Sequence, residues 1–455
     1  MANKNLGEVD AVSAMSSGNS FLIEADGSVR RITLDRMMTS TSPSLMKYLE
    51  GVYAYGIEFD TAKSSPDCTR IGNMGMHVTL PIHEKMKGCL LSDSGVVNEY
   101  LSASGWAGHT LDGSNGQVMV ELPHYYRKFE TEGTKRRVLV SEYPLFGYHE
   151  VKKKYVSAYE ATVQSGDRLA SVKDGSIYGG PGTADTKYAG VPRTGISLTN
   201  FRTYARNRNG GSDTRWNCMT YDIQKDIYWL FVIEYATLNS QKAYEAQPTS
   251  EGYRNGGLGA GVTTITSGWS EFNGYNPFIK CGHTDELGNG TGQKSYKVTG
   301  YPGTPTVQVP RYRGIENPFG HIWQWTDGVL VEAGATSDTN LHKVFVCEDP
   351  AKFASSIGDG YSYAGNQART DGYGKEHIFG EGGEIIASVV GGSNTTYLCD
   401  YNYQTIPEGG KAVRGVLFGG GANDGANAGL ACARSNNAPS YAAATLGSRL
   451  CFIPE

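Results

Sequence analysis

The side chains able to do chemistry in this chain are scattered. Its eight cysteines (Cys68, Cys89, Cys218, Cys281, Cys347, Cys399, Cys432, Cys451) include no C-x-x-C pair, and its nine histidines do not cluster with them. Thiolates and imidazoles hold zinc or run redox chemistry when several converge at short spacing. Cys281-Gly282-His283 is the nearest approach, and it stands alone. In a reducing compartment such cysteines act as small buried hydrophobes, so neither a zinc site nor a disulfide framework is expected. Gly257-Leu258-Gly259-Ala260-Gly261 has the glycine content of a phosphate loop. The VTTIT that follows does not continue as a helix, so no helix N-terminus is offered to an anion, and the run reads as a turn. No G-x-S-x-G elbow or Ser/His/Asp spacing points to a nucleophile.

The informative residues lie at the end, from Arg414 to Phe452. From Gly419 to Leu446 there is no Lys, Glu, Gln, Met or Trp, although all five occur elsewhere. None of the five can be encoded by a codon whose first two bases vary while the third stays C. Asn, Asp, Ala, Gly, Tyr, Thr, Ser, Arg and Cys, which do occur there, all can. Randomised AAC codons would leave this composition. An ordinary Gly/Ala/Asn-rich surface loop would also be rich in these residues, because they suit turns.

These residues need a frame. With 455 residues, 60 of them Gly, and Tyr at 29 against Phe at 14, the chain reads as turn-rich β structure with more than one core. A net charge of -5 gives no basic footprint for nucleic acid. The densest basic run, Lys135 to Arg137, reads as a solvated strand face. No apolar stretch is long enough to cross a bilayer, and the N-terminus lacks the apolar core of a secretory signal. Synthesis in the cytoplasm without the usual export is the expectation.

Residues 1–45 read as a small module in which Phe21 to Leu34 forms a hairpin around Asp26-Gly27. A lone hairpin must pack on something else. Thr39 to Ser44 reads as a linker. Residues 46–148 read as an intermediate β-rich domain with strands at Gly51–Asp60, His77–Ile82, Gly116–Pro123, Tyr125–Thr131 and Arg136–Pro144. Two helices are expected next, at Thr199–Arg208 and Asp222–Ser240, the second capped by Asp222 and apolar nearly all round, hence buried on several sides.

Five segments in order resemble formylglycine-generating-enzyme-type domains. Lys152 to Gln164 resembles their first strand, Gly195 to Asn207 their first helix, and DIYWLFVIEYATLNS their second helix. GIENPFGHIWQWTDG (Gly314 to Gly328) resembles their Trp-Glu-Trp signature. RGVLFGG and LGSRLCF resemble the Arg-Gly-Gly and Gly-Phe-Arg-Leu ends. The implied fold of residues 149–455 is an α+β, C-type-lectin-like domain with two helices on a small twisted antiparallel sheet and long ligand-bearing loops. Within that signature Trp323 and Trp325 read as core and not as a sugar-stacking pair. Glu316-Asn317-Pro318 is not the Glu-Pro-Asn of calcium-dependent sugar-binding lectins. No cofactor is implied, though a structural Ca²⁺ held by loop carbonyls and Asp or Asn is compatible with the loops.

The enzyme branch of this superfamily carries a cysteine pair where the register here places Gly421 and Ala426, with Cys432 elsewhere. Without a thiolate pair, oxidase chemistry is not expected. The other branch, the variable proteins of diversity-generating retroelements, aligns with the variable region 414–452 without gaps. It implies that Ala422, Asp424, Ala426, Ala428, Arg434, Asn436, Asn437, Tyr441, Ala443 and Thr445 are the diversified, ligand-binding positions. The N-terminal pieces resemble phage tail-tip and fibre proteins. The resemblance implies a non-enzymatic receptor-binding (host adhesion) protein of the virion tail, joined to other tail proteins through its N-terminus. It further implies a homotrimer with a host-surface glycan or outer-membrane protein as partner, and no nucleic acid or membrane insertion. A catalytic member of the same fold, a depolymerase, or a diversified bacterial protein outside any virion are the alternatives. If the codon reading holds, sequencing the flanking DNA will reveal a near-repeat of the bases for 414–452, differing mainly at adenines, beside a reverse transcriptase.

Overall fold

The computed structural model describes residues 20–25, 28–33, 43–173, 190–245, 247–263, 265, 279–299, 303–334, 342–406 and 412–455. Its secondary structure is mixed α+β and mostly sheet. In the N-terminal module, strands Ser20–Ala25 and Ser28–Thr33 pair antiparallel with Ala25 opposite Ser28. The Asp26-Gly27 turn and the linker up to residue 42 lie outside the described residues.

Two expectations for the following region need correction. Gly51 to Tyr53 is the end of helix Pro43–Tyr53, and the strand begins at Ala54 and runs to Asp60. His77–Ile82, expected as a strand, instead lies partly in helix Met74–Thr79. A local cap decides this, because the Asn73 side chain accepts from the backbone N–H of Gly75 and Met76. The turn-rich sequence context hid a helix of only six residues. The strands expected near 117, 125 and 136 are present as Gln117–Leu122, Tyr125–Glu132 and Lys135–Ser141.

A five-stranded antiparallel sheet runs in the order His149–Val151, Tyr125–Glu132, Lys135–Ser141, Ala54–Asp60, Thr69–Gly72. On it Lys135 and Arg137 both pair with Glu58, the solvated-face role read for the basic run. A six-stranded sheet joins Trp216–Cys218, Leu450–Phe452, Lys154–Ser157, Gln117–Leu122, Lys87–Leu91 and Val97–Tyr100. The boundary drawn at 148/149 therefore does not separate two cores. Val118 and Val120 are fully buried with Met119 between them, so this strand needs cover on both faces. Lys154–Ser157 supplies a neighbour, and one hydrophobic cluster runs from Tyr55 to Cys451.

In the C-terminal part strand Lys154–Ser157 pairs antiparallel with the last strand, Leu450–Phe452, and two helices pack against the sheets. Helix Leu198–Arg206 starts at Ser197, whose side chain accepts from Asn200 N–H, and buries Leu198, Phe201, Arg202 and Ala205 on one stripe. Arg202 binds Asp327 through two hydrogen bonds of 2.5 and 2.9 Å. Helix Tyr221–Tyr235 ends five residues before Ser240, and every residue in it except Asp222 is buried. Thr220, not Asp222, is its N-cap. Asp222 is drawn instead to Lys154, whose ammonium also reaches Asp226 at 2.8 Å. Arg127 meets the same Asp226 at 2.5 Å, while Glu234 at the far end binds Arg313 at 2.7 and 2.9 Å. No helix among the described residues is long and apolar enough to cross a membrane.

One large sheet carries the terminal segment. Its order is Ser362–Asn366, Lys343–Val346, Trp323–Ala333, Ala412–Gly419, Gly429–Arg434, Tyr401–Tyr403, Gly372–Phe379, Glu384–Val390, with Leu446–Gly447 added parallel to Trp323–Ala333. Trp323 and Trp325 are buried in its core.

The resemblance motifs meet at Arg449, which is fully buried. Its guanidinium donates to the carbonyls of Ser157, Glu316 and Asn317 and to Gln324 Oε1. Replacing it by Met strands these buried acceptors, each costing about 1–3 kcal/mol. Arg449→Met is therefore expected to lower the unfolding free energy by more than about 3 kcal/mol, read from urea denaturation.

Candidate ligand-binding surface

The terminal segment enters on strand Ala412–Gly419, which pairs on one side with Trp323–Ala333 and on the other with Gly429–Arg434. Leu430, Ala431, Cys432 and Ala433 are buried, so the returning strand is covered on both faces and has little room for bulk. Three glycines precede the link between the strands. Gly419 and Gly420 have φ of 98° and 78°, left-handed values that favour Gly. The chain then passes through a short 3₁₀ turn at Gly425–Asn427.

Two of the ten expected contact positions are not at the surface. Ala422 is fully buried in a small core with Val262, Ile279, Val307 and Val309. Ala428 is buried beneath the turn, its Cβ 2.8 Å from where a side chain on Gly420 would begin. Alternation of inward and outward side chains belongs to extended strands, and between 421 and 428 the chain is turning. The other eight lie at or near the surface. Ala426 and Tyr441 are exposed, the tyrosine by 46%, and Asp424, Arg434, Asn436, Asn437, Ala443 and Thr445 are half-buried.

The loop from 435 to 445 is held through its backbone. Asn437 C=O accepts from Gly415 N–H at 3.0 Å, Ala443 C=O from Gly195 at 3.0 Å, and Thr445 C=O from Trp323 at 3.1 Å. Ser435, which is buried, exchanges side-chain hydrogen bonds with Gln367. Asn437 Nδ2 has no hydrogen bond among the described residues. Arg434 Nε donates to Asn436 Oδ1 at 2.9 Å, a contact within the segment itself. The side chains at these positions are thus little used by the fold.

Four residues that sequence reasoning missed complete the surface: Tyr373, Tyr401, Tyr403 and Asn427. Tyr401–Tyr403 runs parallel to the returning strand, with Tyr403 opposite Arg434. Tyr373 and Tyr401 meet edge to face at 5.0 Å, and Tyr401 and Tyr403 lie 4.8 Å apart. Tyr403 donates to Asp424 Oδ1 at 2.9 Å and accepts from Asn427 Nδ2 at 2.9 Å, while Tyr373 donates to Asn427 Oδ1 at 2.6 Å. Burial, and for Tyr403 the nearby Asp424 carboxylate, raises the pKa of both phenols, so they stay protonated donors at neutral pH. The signal in the sequence was Tyr-Asn-Tyr, whose alternation puts two phenols on one strand face. Rigid tyrosines beside small polar groups are typical of adaptable binding surfaces.

Beneath this surface Asp400 props the segment. It accepts from Ala431 N–H at 2.7 Å and from Ser240 Oγ at 3.4 Å, and Ser240 Oγ in turn accepts from Leu430 N–H. A Cβ on Gly429 would fall 1.8 Å from Asp400 Oδ1, which requires glycine there. Burial pushes the Asp400 carboxyl up to about 8.

The nearest thiol in the segment, Cys432, is fully buried, and burial raises its pKa well above the usual range. Gly421 and Ala426 offer none. Cys281 contacts the carbonyl of Glu160, and His283 that of Ser295, so the isolated Cys-Gly-His run serves the backbone. Glu316, in the signature loop, accepts from Gly282 N–H and from Thr284 N–H and Oγ1. No group of three or more His, Cys, Asp or Glu among the described residues is placed to hold a metal ion.

No protein-family model and no curated protein matches the sequence. Among solved structures, the chain is similar to the "Major Tropism Determinant U1 Variant" at 12% identity and a TM-score of 0.24, over 81% of this chain and 72% of that one. Similarity to the M1 variant is 12% identity and 0.25 over 82% and 73%, and to the I1 variant 10% and 0.20 over 84% and 88%.

Asp400 yields a pH prediction. In the unfolded chain its proton leaves near pH ~4, while in the folded chain it is held up to about 8. Folding therefore takes up a proton between those values, and stability should fall as pH rises across that window. Asp400→Asn is expected to flatten this part of the urea-midpoint profile against pH.

Proposed function

We propose that the protein is a receptor-binding protein of a phage tail tip or tail fibre. Its C-terminal lectin-like surface recognises a molecule on the host cell envelope, a glycan or an outer-membrane protein, and a retroelement diversifies that surface. The N-terminal module attaches to other virion tail proteins, and the protein binds without catalysing. Three copies would convert weak single-site binding into avidity, which suits a surface mutated blindly.

One observation carries this reading. The main-chain carbonyls of Asn437, Ala443 and Thr445 accept hydrogen bonds from backbone N–H groups of the surrounding fold. Ala426 and Tyr441 stand exposed. Such positions accept substitution while the scaffold persists. The codon-restricted composition of 419–446 falls on the same stretch. The absence of a thiol at Gly421 and Ala426 weighs against an oxidase on this fold. Within this copy, Tyr441 and Arg434 are the residue types that supply most contact energy in binding surfaces.

Tyr441→Ala and Arg434→Ala should each change unfolding free energy by less than about 0.5 kcal/mol. Each should weaken adsorption to host cells by about tenfold or more, or redirect it to other cells. Adsorption assays beside urea unfolding check this. Unaltered adsorption, or loss explained by unfolding, would remove the binding surface from this segment.

A further inference from the structure

Outside the diversified segment, the free edge of the large sheet carries an aromatic residue without a role in the core. Strand Ser362–Asn366 is the last strand of that sheet and, among the described residues, pairs only with Lys343–Val346. Tyr363 on it is 55% exposed and meets Phe345, its cross-strand partner, edge to face at 5.9 Å. Its hydroxyl donates to Asn366 Oδ1 at 3.0 Å, which fixes the ring and leaves the amide NH₂ without a partner among the described residues.

Tyr363 lines two hollows. One of about 330 Å³ is bounded by Lys343, Phe345, Tyr363 and Asn366. The other, of about 630 Å³, has Glu348, Asp349, Glu381 and Glu384 among its lining residues; buried Lys225 pairs with Glu384 at 3.2 Å and reaches Glu348 at 3.9 Å, and the acidic groups still outnumber it. The side chains of Lys343 and Glu381 make no ion pair or hydrogen bond with any described residue.

We propose that Tyr363 is the stacking platform of a subsite for a neutral oligosaccharide, fixed in sequence and separate from residues 414–452. An aromatic face bordered by a few polar groups suits a ring that is apolar on one side and hydroxylated at its rim. Glu348, Asp349 and Glu381 accept hydroxyl protons from neighbouring sugar positions, while Lys343 and the Asn366 amide donate to sugar oxygens on the other side. The carboxylates around the larger hollow repel an acidic glycan. Two adjoining hollows give room for consecutive sugar units on either side of Tyr363.

The test uses the full chain with maltotriose, cellotriose and mannotriose as probes, followed by saturation-transfer NMR and titration. Saturable binding of at least one is expected, with a dissociation constant of roughly 1 mM. Tyr363→Ala should weaken it about tenfold or more. Tyr363→Phe, which keeps the ring, should largely retain it, and Tyr441→Ala should leave it intact. Circular dichroism and thermal unfolding establish that each variant folds. Failure of all three sugars to saturate overturns the proposal, as does equal binding by Tyr363→Ala or stronger Tyr363-dependent binding of hexalysine. Loss in Tyr441→Ala with retention in Tyr363→Ala would return the sugar to the diversified surface and also overturn it.

Discussion

The buried guanidinium of Arg449 is the constraint on which the C-terminal architecture rests. A charge removed from water must be met by hydrogen bonds, and this one meets acceptors from two distant parts of the chain: Ser157 on one side, and Glu316, Asn317 and Gln324 on the other. Lysine offers a compact ammonium where arginine offers five donors in a planar fork, so only arginine spans these acceptors. Holding Glu316 and Asn317 places the Glu316 carboxylate against Gly282 and Thr284, which organises a further loop. Gln324 belongs to the strand on which the terminal segment is hung. Loops that lack regular structure thus acquire one geometry.

Buried ion pairs extend the same principle to helix Tyr221–Tyr235. Asp226 and Asp222 together neutralise Lys154 and Arg127, and Glu234 neutralises Arg313, so the helix is tied near both ends to elements from both halves of the chain. Pairs of this kind contribute less to net stability than to a specified arrangement, since removing either partner leaves a charge stranded. They also explain why residues 46–148 and 149–455 share one core. The polar ties cross the boundary together with the apolar contacts.

On that frame the terminal segment divides its work between main chain and side chain. Its strands are buried and filled by small residues, its returning loop is fastened through carbonyls, and its exposed side chains are largely left out of the fold. A surface can then change its chemistry without changing its shape. The tyrosines at 373, 401 and 403 come from outside the segment, and Tyr373 and Tyr403 are joined to it by hydrogen bonds to Asn427 and Asp424.

Much was legible in the residues themselves. The two helices follow from periodicity and the restricted composition of 419–446 from residue type, which act over a few positions, while the order of the five motifs and the burial of Trp323 and Trp325 were expected from the resemblance. What tertiary structure alone decided was sidedness and partnership. It buried Ala422 and Ala428, gave Asp222 to Lys154 instead of the helix cap, brought the three tyrosines to the terminal segment and fused the expected domains. The reason is physical: which face a residue presents, and what it meets there, depends on pairing between segments hundreds of positions apart. No local pattern carries that information.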